Sequence, residues 1–536
     1  MPITLPLYNG ARIGFTDAHE SKEDIIRRIA WHCCAVSATA DLQQQSEQGR
    51  LSSLAAHHLR IDATRCVTEP TEHWPAGSFN KCVPIRVDDP SARSTAGSHL
   101  LLRVPMAHRL TGIVEEKMRC EVATYIWMQE NCPDIPIPRL YGFGFPSGRH
   151  FTHASLLPWY QRWARRLRRR ICAWFSWPIP SYYVENPWSC DFPAGYILLE
   201  FIDIGKPLAK TWFSTPIDPA KRHNLFRGIS RLIIKLARVP LNRIGSFTFD
   251  PSIGTISLTN RPLTSISLTN RQLTSGIAIM ENDGAARVMD PDQTYESVDP
   301  YVTDLLALHD NRFLAQKNAV KSMEDCYYQM AVQAILRIMS PQYLDRTLRK
   351  GPFYMQLTDL HPGNLIVDDD WNITSLIDLE WICARSPQMI DIPCWITSRS
   401  VDEVCLPEYS SEYATARETF MVAFKEEERD MSGDLSKTID KSYSSKASWF
   451  FHALDSINAM YQLFELQLRP QFIAQGIPVK VGAYFAGFWA QRARETTRRK
   501  LLEREEYDAE LRVMFRVEAI VPNEEGVVVP NKEEAN

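Results

Sequence analysis

One hairpin-like segment constrains the fold of this chain more than any other. The sequence TDLHPGN at 358–364 leads into an apolar run, an acidic turn at 368–372 and a second apolar run at 373–377. Apolar, β-branched runs separated by Asp and Asn residues are typical of two strands joined by a turn. The sequence therefore predicts paired strands that bring Asp378 back beside Asn364.

Three polar residues of this segment fit the chemistry of phosphoryl transfer. That reaction depends on positioning and charge neutralisation, so it needs a carboxylate beside the acceptor hydroxyl and oxygen ligands for Mg²⁺. Asp359 is the candidate base, while the Asn364 amide and the Asp378 carboxylate supply the hard oxygen ligands that Mg²⁺ prefers. Acidic residues also occur in ordinary turns, so this spacing alone leaves a purely structural origin open.

The whole run TDLHPGNLIVDDDWNITSLIDLEW at 358–381 resembles the aminoglycoside phosphotransferase family, in particular its large fungal branch of kinase-like proteins. Protein kinases share its D-x-x-x-x-N interval and its metal-binding Asp after a second strand. The resemblance implies an α+β, protein-kinase-like, two-lobed fold with a small antiparallel-sheet lobe and a larger, mainly helical lobe. It also implies an ATP- and Mg²⁺-dependent phosphotransferase that acts on a hydroxyl of a small-molecule acceptor.

Residues that the resemblance implies for nucleotide binding occur upstream in the expected order. Gly77 and Ser78 lie on a glycine turn before a strand, and Arg103 lies on a buried strand where kinases keep a lysine. Glu121 lies on a predicted helix at 115–129, where it would pair with Arg103. Glu200 lies at the end of a strand before a hinge.

Three of these upstream features also have an ordinary structural explanation. The turn around Gly77 is also compatible with a simple hairpin, and Arg103 with the solvent face of its strand. Glu121 is compatible with a solvated helix face. Glu115 and Glu116 on the same predicted helix are rivals for the partner of the cation.

Two departures from the family pattern bear on activity. Arg103 stands in place of a lysine, and a planar guanidinium differs in geometry from a compact ammonium group. Leu357 occupies a position, two residues before Asp359, at which many members carry histidine. These departures motivate an alternative function, a catalytically silent kinase-like protein that binds nucleotide or acts as a scaffold.

Three polar residues near the hairpin have two candidate roles each. Asp391 resembles a family aspartate that supports the catalytic loop, but it could equally cap a helix. His361 is an acid or metal ligand in one interpretation and a structural hydrogen-bonding residue in the other. Glu380 either assists the metal from behind Asp378 or faces solvent.

The landmarks divide the chain into four parts. An N-terminal extension covers 1–70, the small lobe covers 71–205 with a basic insertion at 151–191, and the large lobe covers 206–520. The final residues, 521–536, are predicted to form a disordered acidic tail.

The insertion carries an amphipathic basic helix between Trp159 and Trp177. Trp159, Trp163, Leu167, Ile171 and Trp174 recur at helical spacing, and six arginines fill much of the remaining surface. Such a helix can lie on an anionic membrane or cover an acidic protein. The alternative is a charged, solvated helix that docks on its own lobe through the tryptophans.

Bulk properties predict a cytoplasmic globular protein. The chain has 536 residues, is 45% hydrophobic and carries a formal net charge of -4, which gives no electrostatic basis for binding nucleic acid. No apolar run approaches the ~20 residues of a membrane-spanning helix. The 12 cysteines include no C-x-x-C pair, so reduced thiols are expected.

A decapeptide is duplicated in the second half of the chain. ISLTNRPLTS at 256–265 is followed by ISLTNRQLTS at 266–275, and the two copies differ only at Pro262 and Gln272. Two short copies do not make a repeat array, since solenoids need longer and more numerous repeats. A duplication in a surface loop is the expected origin.

Overall fold

The computed structural model describes residues 3–517, except for 8–9, 22, 76, 78, 90–96, 111, 189–191, 214–217, 268–273, 430–433, 458 and 473–481. The predicted site residue Ser78 and the predicted tail at 521–536 lie outside these described residues. The described chain is a mixture of α-helices and several small sheets, and its strand pairs are antiparallel.

The strands are short and are numbered in chain order. They are β1 (Thr4–Pro6), β2 (Arg12–Gly14), β3 (Cys66–Thr68), β4 (Asn80–Val87), β5 (His99–Pro105), β6 (Leu140–Gly144), β7 (His150–His153), β8 (Tyr183–Glu185), β9 (Tyr196–Glu200), β10 (Lys206–Pro207), β11 (Ser246–Asp250), β12 (Thr255–Asn260), β13 (Ser265–Ser267), β14 (Thr274–Gly276), β15 (Tyr354–Leu357), β16 (Leu365–Val367), β17 (Ile373–Leu376) and β18 (Ile382–Arg385).

The helices are concentrated at the N-terminus and in the second half of the chain. They are α1 (Phe15–Glu20), α2 (Ile25–Glu47), α3 (Arg50–Leu59), α4 (Val114–Asn131), α5 (Trp159–Trp174), α6 (Ala209–Trp212), α7 (Pro219–Ala237), α8 (Ile277–Asn282), α9 (Val298–Ala315), α10 (Met323–Tyr343), α11 (Val401–Val404), α12 (Pro407–Glu428), α13 (Leu435–Ser444), α14 (Ala447–Leu454), α15 (Ala459–Leu463), α16 (Gly482–Trp489) and α17 (Ala493–Phe515).

The largest sheet has seven strands in the order β3-β4-β5-β9-β6-β7-β8. Strand β5 of this sheet pairs with β9 on one side, Leu101 lying opposite Leu199, and with β4 on the other. Both faces of the sheet are covered, which accounts for the nearly continuous apolar sequence of β5. The sheet begins at Cys66, upstream of the boundary at 71 that was expected for the small lobe.

Helices cover the two faces of this sheet. Leu51 and Leu54 of α3 belong to the core cluster that contains Ile85 of β4. On the other face, Val122 of α4 is buried in the cluster that contains Leu199 of β9. Helix α3, which belongs to the predicted N-terminal extension, therefore covers one face of the sheet. Helix α4 confirms the helix predicted at 115–129.

The second half of the chain buries helices around the predicted hairpin. Helices α7, α9, α10, α12 and α14 share one core cluster with apolar residues of β16 and β17. Helix α7 begins as its sequence predicts: Asp218 accepts a hydrogen bond from the Ala220 amide at 2.8 Å, and Pro219 occupies the first turn. This packing fixes the hairpin on the helical part of the protein.

Helix α5 of the insertion docks on the protein through its polar side. Arg165 is 8% exposed and donates to the carbonyls of Ser181 and Tyr183 at 2.6 and 2.8 Å, while Trp159 and Trp174 are 72% and 86% exposed. The expected docking through the tryptophans is therefore wrong. The buried guanidinium satisfies carbonyls beside β8, so the apolar stripe of the helix faces outward.

The first copy of the duplicated decapeptide is integral to the fold. It contains most of β12, which pairs with β11, and it also contains Arg261, which is fully buried. Arg261 forms ion pairs with Glu116 of α4 at 2.8 Å and with Glu281 of α8 at 2.6 Å. The expected surface-loop location is wrong for this copy, and residues 268–273 of the second copy lie outside the described part.

The N-terminal segment packs against the last helix. Leu7, Ile25 and Ile29 share a buried cluster with Tyr507 and Leu511 of α17. The Tyr507 hydroxyl also accepts a hydrogen bond from the Ile25 amide at 2.8 Å. Two distant parts of the sequence thus complete one small core.

Candidate active site

The hairpin predicted from the sequence is present. Strands β16 and β17 pair with Leu365 opposite Leu376, and the Ile377 amide donates to the Asn364 carbonyl at 2.9 Å. This bond holds the residue before Asp378 against the residue before β16. The prediction that Asp378 returns to lie beside Asn364 is therefore confirmed.

The loop between β15 and β16 is held in place by its own polar groups. The side-chain amide nitrogen of Asn364 donates to the Asp359 carbonyl at 3.0 Å, and His361 Nδ1 accepts from the backbone amide of Gly363 at 3.0 Å. Trp395 Nε1 donates to the Leu360 carbonyl at 2.7 Å. His361 thus makes the structural hydrogen bond that was one of its two candidate roles, and burial lowers its pKa.

Asp378 has an unusual backbone conformation for a residue that is not glycine. Its φ is 63°, in the left-handed region, immediately after β17. Aspartate adopts this region more readily than most residues, but the conformation still costs roughly 1–3 kcal/mol and is common at functional sites. The turn redirects the chain from β17 into Glu380 and β18.

Arg103 joins the seven-stranded sheet to this hairpin. Its Nη1 donates to Glu121 Oε1 at 2.6 Å, and its Nη2 donates to Asp378 Oδ1 at 2.9 Å. Glu121 is almost fully buried. The rival glutamates have other partners, since Glu115 pairs with Arg119 and Glu116 pairs with Arg261. The pairing of Arg103 with Glu121 is confirmed, and the solvent-face alternative for Arg103 is wrong.

Sequence reasoning missed a second cation in this cluster. Lys117 of α4 is fully buried, forms an ion pair with Glu380 and lies 3.4 Å from Glu121. Asn80 bridges the group: its side-chain amide donates to Glu380 at 2.8 Å and its Oδ1 accepts from Lys117 at 3.1 Å. The available signal was the spacing of four between Lys117 and Glu121, which places both on one helix face. The solvent-facing alternative for Glu380 is also wrong.

The charges of this cluster stabilise one another. Burial disfavours the Asp378 carboxylate, but Arg103 and Lys117 outweigh burial and lower its pKa. Burial also disfavours the Arg103 cation, yet the surrounding carboxylates raise its pKa well above the ordinary value. Asp378 is therefore ionised at neutral pH. Burial, together with the Asp378 charge, raises the pKa of Glu380.

The glycine turn before β4 contacts the same cluster. The Gly77 amide donates to the Asn80 carbonyl at 3.1 Å, and the ring of Phe79 packs edge-to-face on Trp381 at 5.4 Å. Gly77 does not have a positive φ, and an added Cβ would meet its nearest neighbour, the Asn80 carbonyl oxygen, at 3.6 Å. The backbone conformation at Gly77 therefore does not require glycine.

Glu200 has a different location from the ion cluster. Its carboxylate accepts a hydrogen bond from the Arg139 amide at 3.1 Å at the end of β9. The following linker forms β10, which pairs with β16 so that Lys206 lies opposite Val367. The structure therefore connects the predicted hinge directly to the hairpin, although it does not bring the Glu200 side chain to Arg103.

A cavity of about 410 Å³ opens beside Asp359. Its lining combines apolar residues with polar residues of the second half of the chain, and it includes Asp391 and His452. Asp391 lines this cavity, and its Oδ2 lies 3.2 Å from His452 Nε2 rather than bonding the loop at 358–364. The lining also includes Phe213, Ile390, Trp395, Ser448, Phe451 and Asp455.

The donors at the hairpin fit a magnesium ion that is also bound by phosphates. Within the described ranges, no group of three or more His, Cys, Asp and Glu side chains could hold a metal. Proteins commonly bind Mg²⁺ through one or two carboxylates plus substrate phosphates. The Asn364 side chain donates through its nitrogen to the Asp359 carbonyl. The Oδ1 atom of Asn364 is therefore left for a cation beside Asp378.

Comparison with known proteins assigns no family. No protein-family model and no curated protein matches the sequence. The interpretation of the site therefore depends on the position and chemistry of its residues.

Proposed function

We propose that this protein is an ATP- and Mg²⁺-dependent phosphotransferase that transfers the γ-phosphoryl group to a hydroxyl of a small molecule. The observation that carries the proposal is the contact between Arg103 and Asp378 at 2.9 Å. It brings a cation that is paired with a helix glutamate to a carboxylate at the end of the hairpin. Phosphoryl transfer uses such a combination to position and neutralise phosphates.

A protein-kinase-like fold is part of this proposal. The seven-stranded sheet with α4 on one face and the mainly helical second half of the chain support it. The β10 segment supports it as well, because it leads from the sheet directly to β16. Fold alone does not determine reaction, so the assignment of activity depends on the site residues.

Asp359 has the role of general base in the proposed reaction. It follows β15, and the loop that carries it is held by hydrogen bonds from the Asn364 side chain to the Asp359 carbonyl and from Trp395 to the Leu360 carbonyl. A carboxylate held in this way orients the acceptor hydroxyl and takes its proton as the new oxygen–phosphorus bond forms and the bond between the γ-phosphorus and the leaving ADP oxygen breaks. The cavity beside Asp359 supports an acceptor of small-molecule size.

Asn364 and Asp378 would hold the magnesium ion, which when bound neutralises charge on the phosphates. Arg103 would position the α- and β-phosphates from the sheet side. Glu121 keeps the Arg103 guanidinium oriented through its contact at 2.6 Å. Gly77 and Glu200 are proposed to lie near the nucleotide, at the covering turn and the hinge.

A catalytically silent, nucleotide-binding protein is the second candidate function. The observation that favours it is the number of carboxylates around Arg103. Its guanidinium donates a hydrogen bond to Asp378 and also forms an ion pair with Glu380 at 3.6 Å. A cation held by three carboxylates is less available to phosphates than one held by a single glutamate. Nucleotide binding without phosphoryl transfer would then result.

Calorimetry with Mg-ATP tests the binding half of the proposal. Wild-type protein is expected to bind, Asp378→Ala to bind at least about tenfold more weakly, and Asp370→Ala to match wild type. Asp370 is a suitable control because it lies in the exposed turn of the same hairpin. Absence of Mg-ATP binding by the folded wild-type protein would overturn both candidate functions.

A screen of hydroxyl-bearing small molecules for ATP-dependent product then distinguishes the two candidate functions. Product formation that depends on Asp359 supports the phosphotransferase. Binding of Mg-ATP without product across amino-sugar, amino-alcohol, nucleoside and sugar acceptors supports the silent protein.

A further inference from the structure

The outward stripe of α5 is a large apolar surface that the fold does not use. Trp159, Trp163, Leu167, Ile171 and Trp174 are all exposed, and they recur every three or four residues along one helix face. The patch continues past the end of the helix through Phe175, Trp177 and Ile179, which are also exposed. An apolar surface of this kind, rimmed by polar residues, marks an interaction site.

Arginines border the stripe. Helical spacing places Arg162, Arg166 and Arg170 along one side of it and Arg168 along the other. No ion pair neutralises these four residues within the part of the chain that the structure describes, and α5 contains no acidic residue. The surface therefore combines apolar side chains with uncompensated positive charge.

The other two arginines of α5 fix the orientation of the helix. Arg165 donates to the carbonyls of Ser181 and Tyr183, and Arg169 pairs with Glu130 at 2.9 Å. Arg169 also lies over the ring of Tyr182 at 4.0 Å. The polar face of the helix is thus anchored to the protein, and the tryptophans cannot turn inward without breaking these bonds.

We propose that α5 binds the surface of an anionic lipid membrane, with its tryptophan stripe in the interfacial region and its flanking arginines at the lipid phosphates. Tryptophan prefers this region of a bilayer, and arginine forms paired hydrogen bonds with phosphate oxygens. A helix that carries a basic rim and an outward apolar face lies in the plane of the membrane surface. None of the helices that the structure describes is long and apolar enough to cross a bilayer.

Charge favours a lipid surface over a second copy of this chain as the occupant. A symmetric contact between two copies would place the same arginines opposite or beside one another, and the protein offers no acidic residue on α5 to compensate them. An anionic bilayer supplies that compensation at every position along the helix.

Flotation with lipid vesicles tests the proposal on the full-length protein. Vesicles of phosphatidylcholine with roughly one third phosphatidylserine are compared with vesicles of phosphatidylcholine alone. Wild-type protein is expected to float with the anionic vesicles and to bind neutral vesicles far more weakly, with binding that decreases at high salt.

Two surface variants separate the contributions of the stripe and its rim. Trp159→Ser with Trp163→Ser is expected to weaken binding at least about tenfold, since apolar area no longer enters the interface. Replacement of Arg162, Arg166 and Arg170 by glutamine is expected to weaken it by about fivefold for each residue, roughly a hundredfold in all. These side chains are exposed, so the variants should fold normally.

A matched control carries two apolar-to-serine substitutions elsewhere. Leu502 and Val513 of α17 are also exposed, and Leu502→Ser with Val513→Ser is expected to bind vesicles like wild type. The proposal is overturned if wild-type protein does not float with anionic vesicles or if the tryptophan variant floats equally well. It is also overturned if sedimentation shows self-association that the tryptophan substitutions abolish while vesicle binding is absent, because the occupant is then a second copy.

Discussion

The Arg103 guanidinium donates to Asp378 Oδ1 at 2.9 Å and links residues that are 275 positions apart in the sequence. The same guanidinium donates to Glu121, so one side chain connects the sheet, α4 and the hairpin. A carboxylate has two acceptor oxygens, and the second oxygen of Asp378 is therefore the one that a metal would use. A nucleotide bound at this site, as proposed, would have to accommodate an arginine that already has carboxylate partners.

Replacement of Asp359 by asparagine should separate binding from turnover. If Asp359 is the base, kcat is expected to fall by about 10²–10⁴-fold, because asparagine cannot accept the hydroxyl proton. Mg-ATP affinity should change little, since Asp359 is not among the proposed metal or phosphate ligands. Steady-state kinetics and calorimetry on the same preparation provide the check. Turnover equal to that of wild type would remove Asp359 from the mechanism.

Glu121→Gln should destabilise the protein substantially. The substitution leaves the buried Arg103 with one fewer carboxylate, and breaking a buried ion pair in this way costs about 3–5 kcal/mol. Urea unfolding measures the loss. Glu115→Gln on the same helix removes a partly exposed pair with Arg119 and is expected to cost less than about 1 kcal/mol. Equal effects of the two substitutions would contradict the buried network.

Gly142→Ala should disrupt the contact between α3 and the sheet. The new Cβ would clash with the imidazole ring of His58, whose nitrogens form hydrogen bonds of 2.7 Å with Thr152 and Tyr196. Because those bonds prevent the ring from moving away, unfolding free energy is expected to fall by about 1–3 kcal/mol.

Gly77→Ala is the matched control for that substitution. The nearest atom to its added Cβ is 3.6 Å away and its backbone conformation is accessible to alanine. Its unfolding free energy is expected to stay within about 0.5 kcal/mol of wild type. A large loss at Gly77 together with no loss at Gly142 would reverse the assignment of the two glycines.

His309 should make stability depend on pH. Burial lowers its pKa from 6.5 to about 4, although its Nε2 donates to the Leu454 carbonyl at 2.8 Å. The unfolded chain takes up this proton near pH 6.5 and the folded chain only near pH 4, so stability is complete above that range and decreases as pH falls through it. The expected loss for this residue is about 3 kcal/mol.

His309→Gln keeps a side-chain donor for Leu454 but cannot titrate. The pH dependence of its unfolding free energy between pH 6.5 and 4 should be weaker than that of wild type by about 1.4 kcal/mol per pH unit. Chemical denaturation at a series of pH values supplies the comparison. Parallel curves for the two proteins would show that His309 is not responsible.

Local sequence patterns predicted the parts of the site that local interactions determine. The hairpin follows from two apolar runs and an acidic turn, and the start of α7 follows from Asp218 and Pro219. The partnership of Arg103 with Glu121 came from the order of landmarks in a resembling family, and the structure selects Glu121 over its rivals.

Residues whose roles depend on distant partners were harder to predict. Lys117 and Arg261 are charged residues that would ordinarily be placed on the surface, and each is fully buried because carboxylates from other elements meet it. The orientation of α5 was also misjudged, since its pattern defines an apolar face but not which face meets the protein. Arg165 decides that orientation through carbonyls near β8.

The packing of the first helices on α17 has a consequence for how the protein is made. Ile25 and Ile29 find their apolar partners on residues as late as Tyr507 and Leu511. Domains generally begin to fold from the N-terminus during synthesis, at about 5–20 residues per second. The segment that contains Ile25 and Ile29 must therefore remain without its apolar partners until α17 has been synthesised, and a nonsense mutation before α17 would remove those partners altogether.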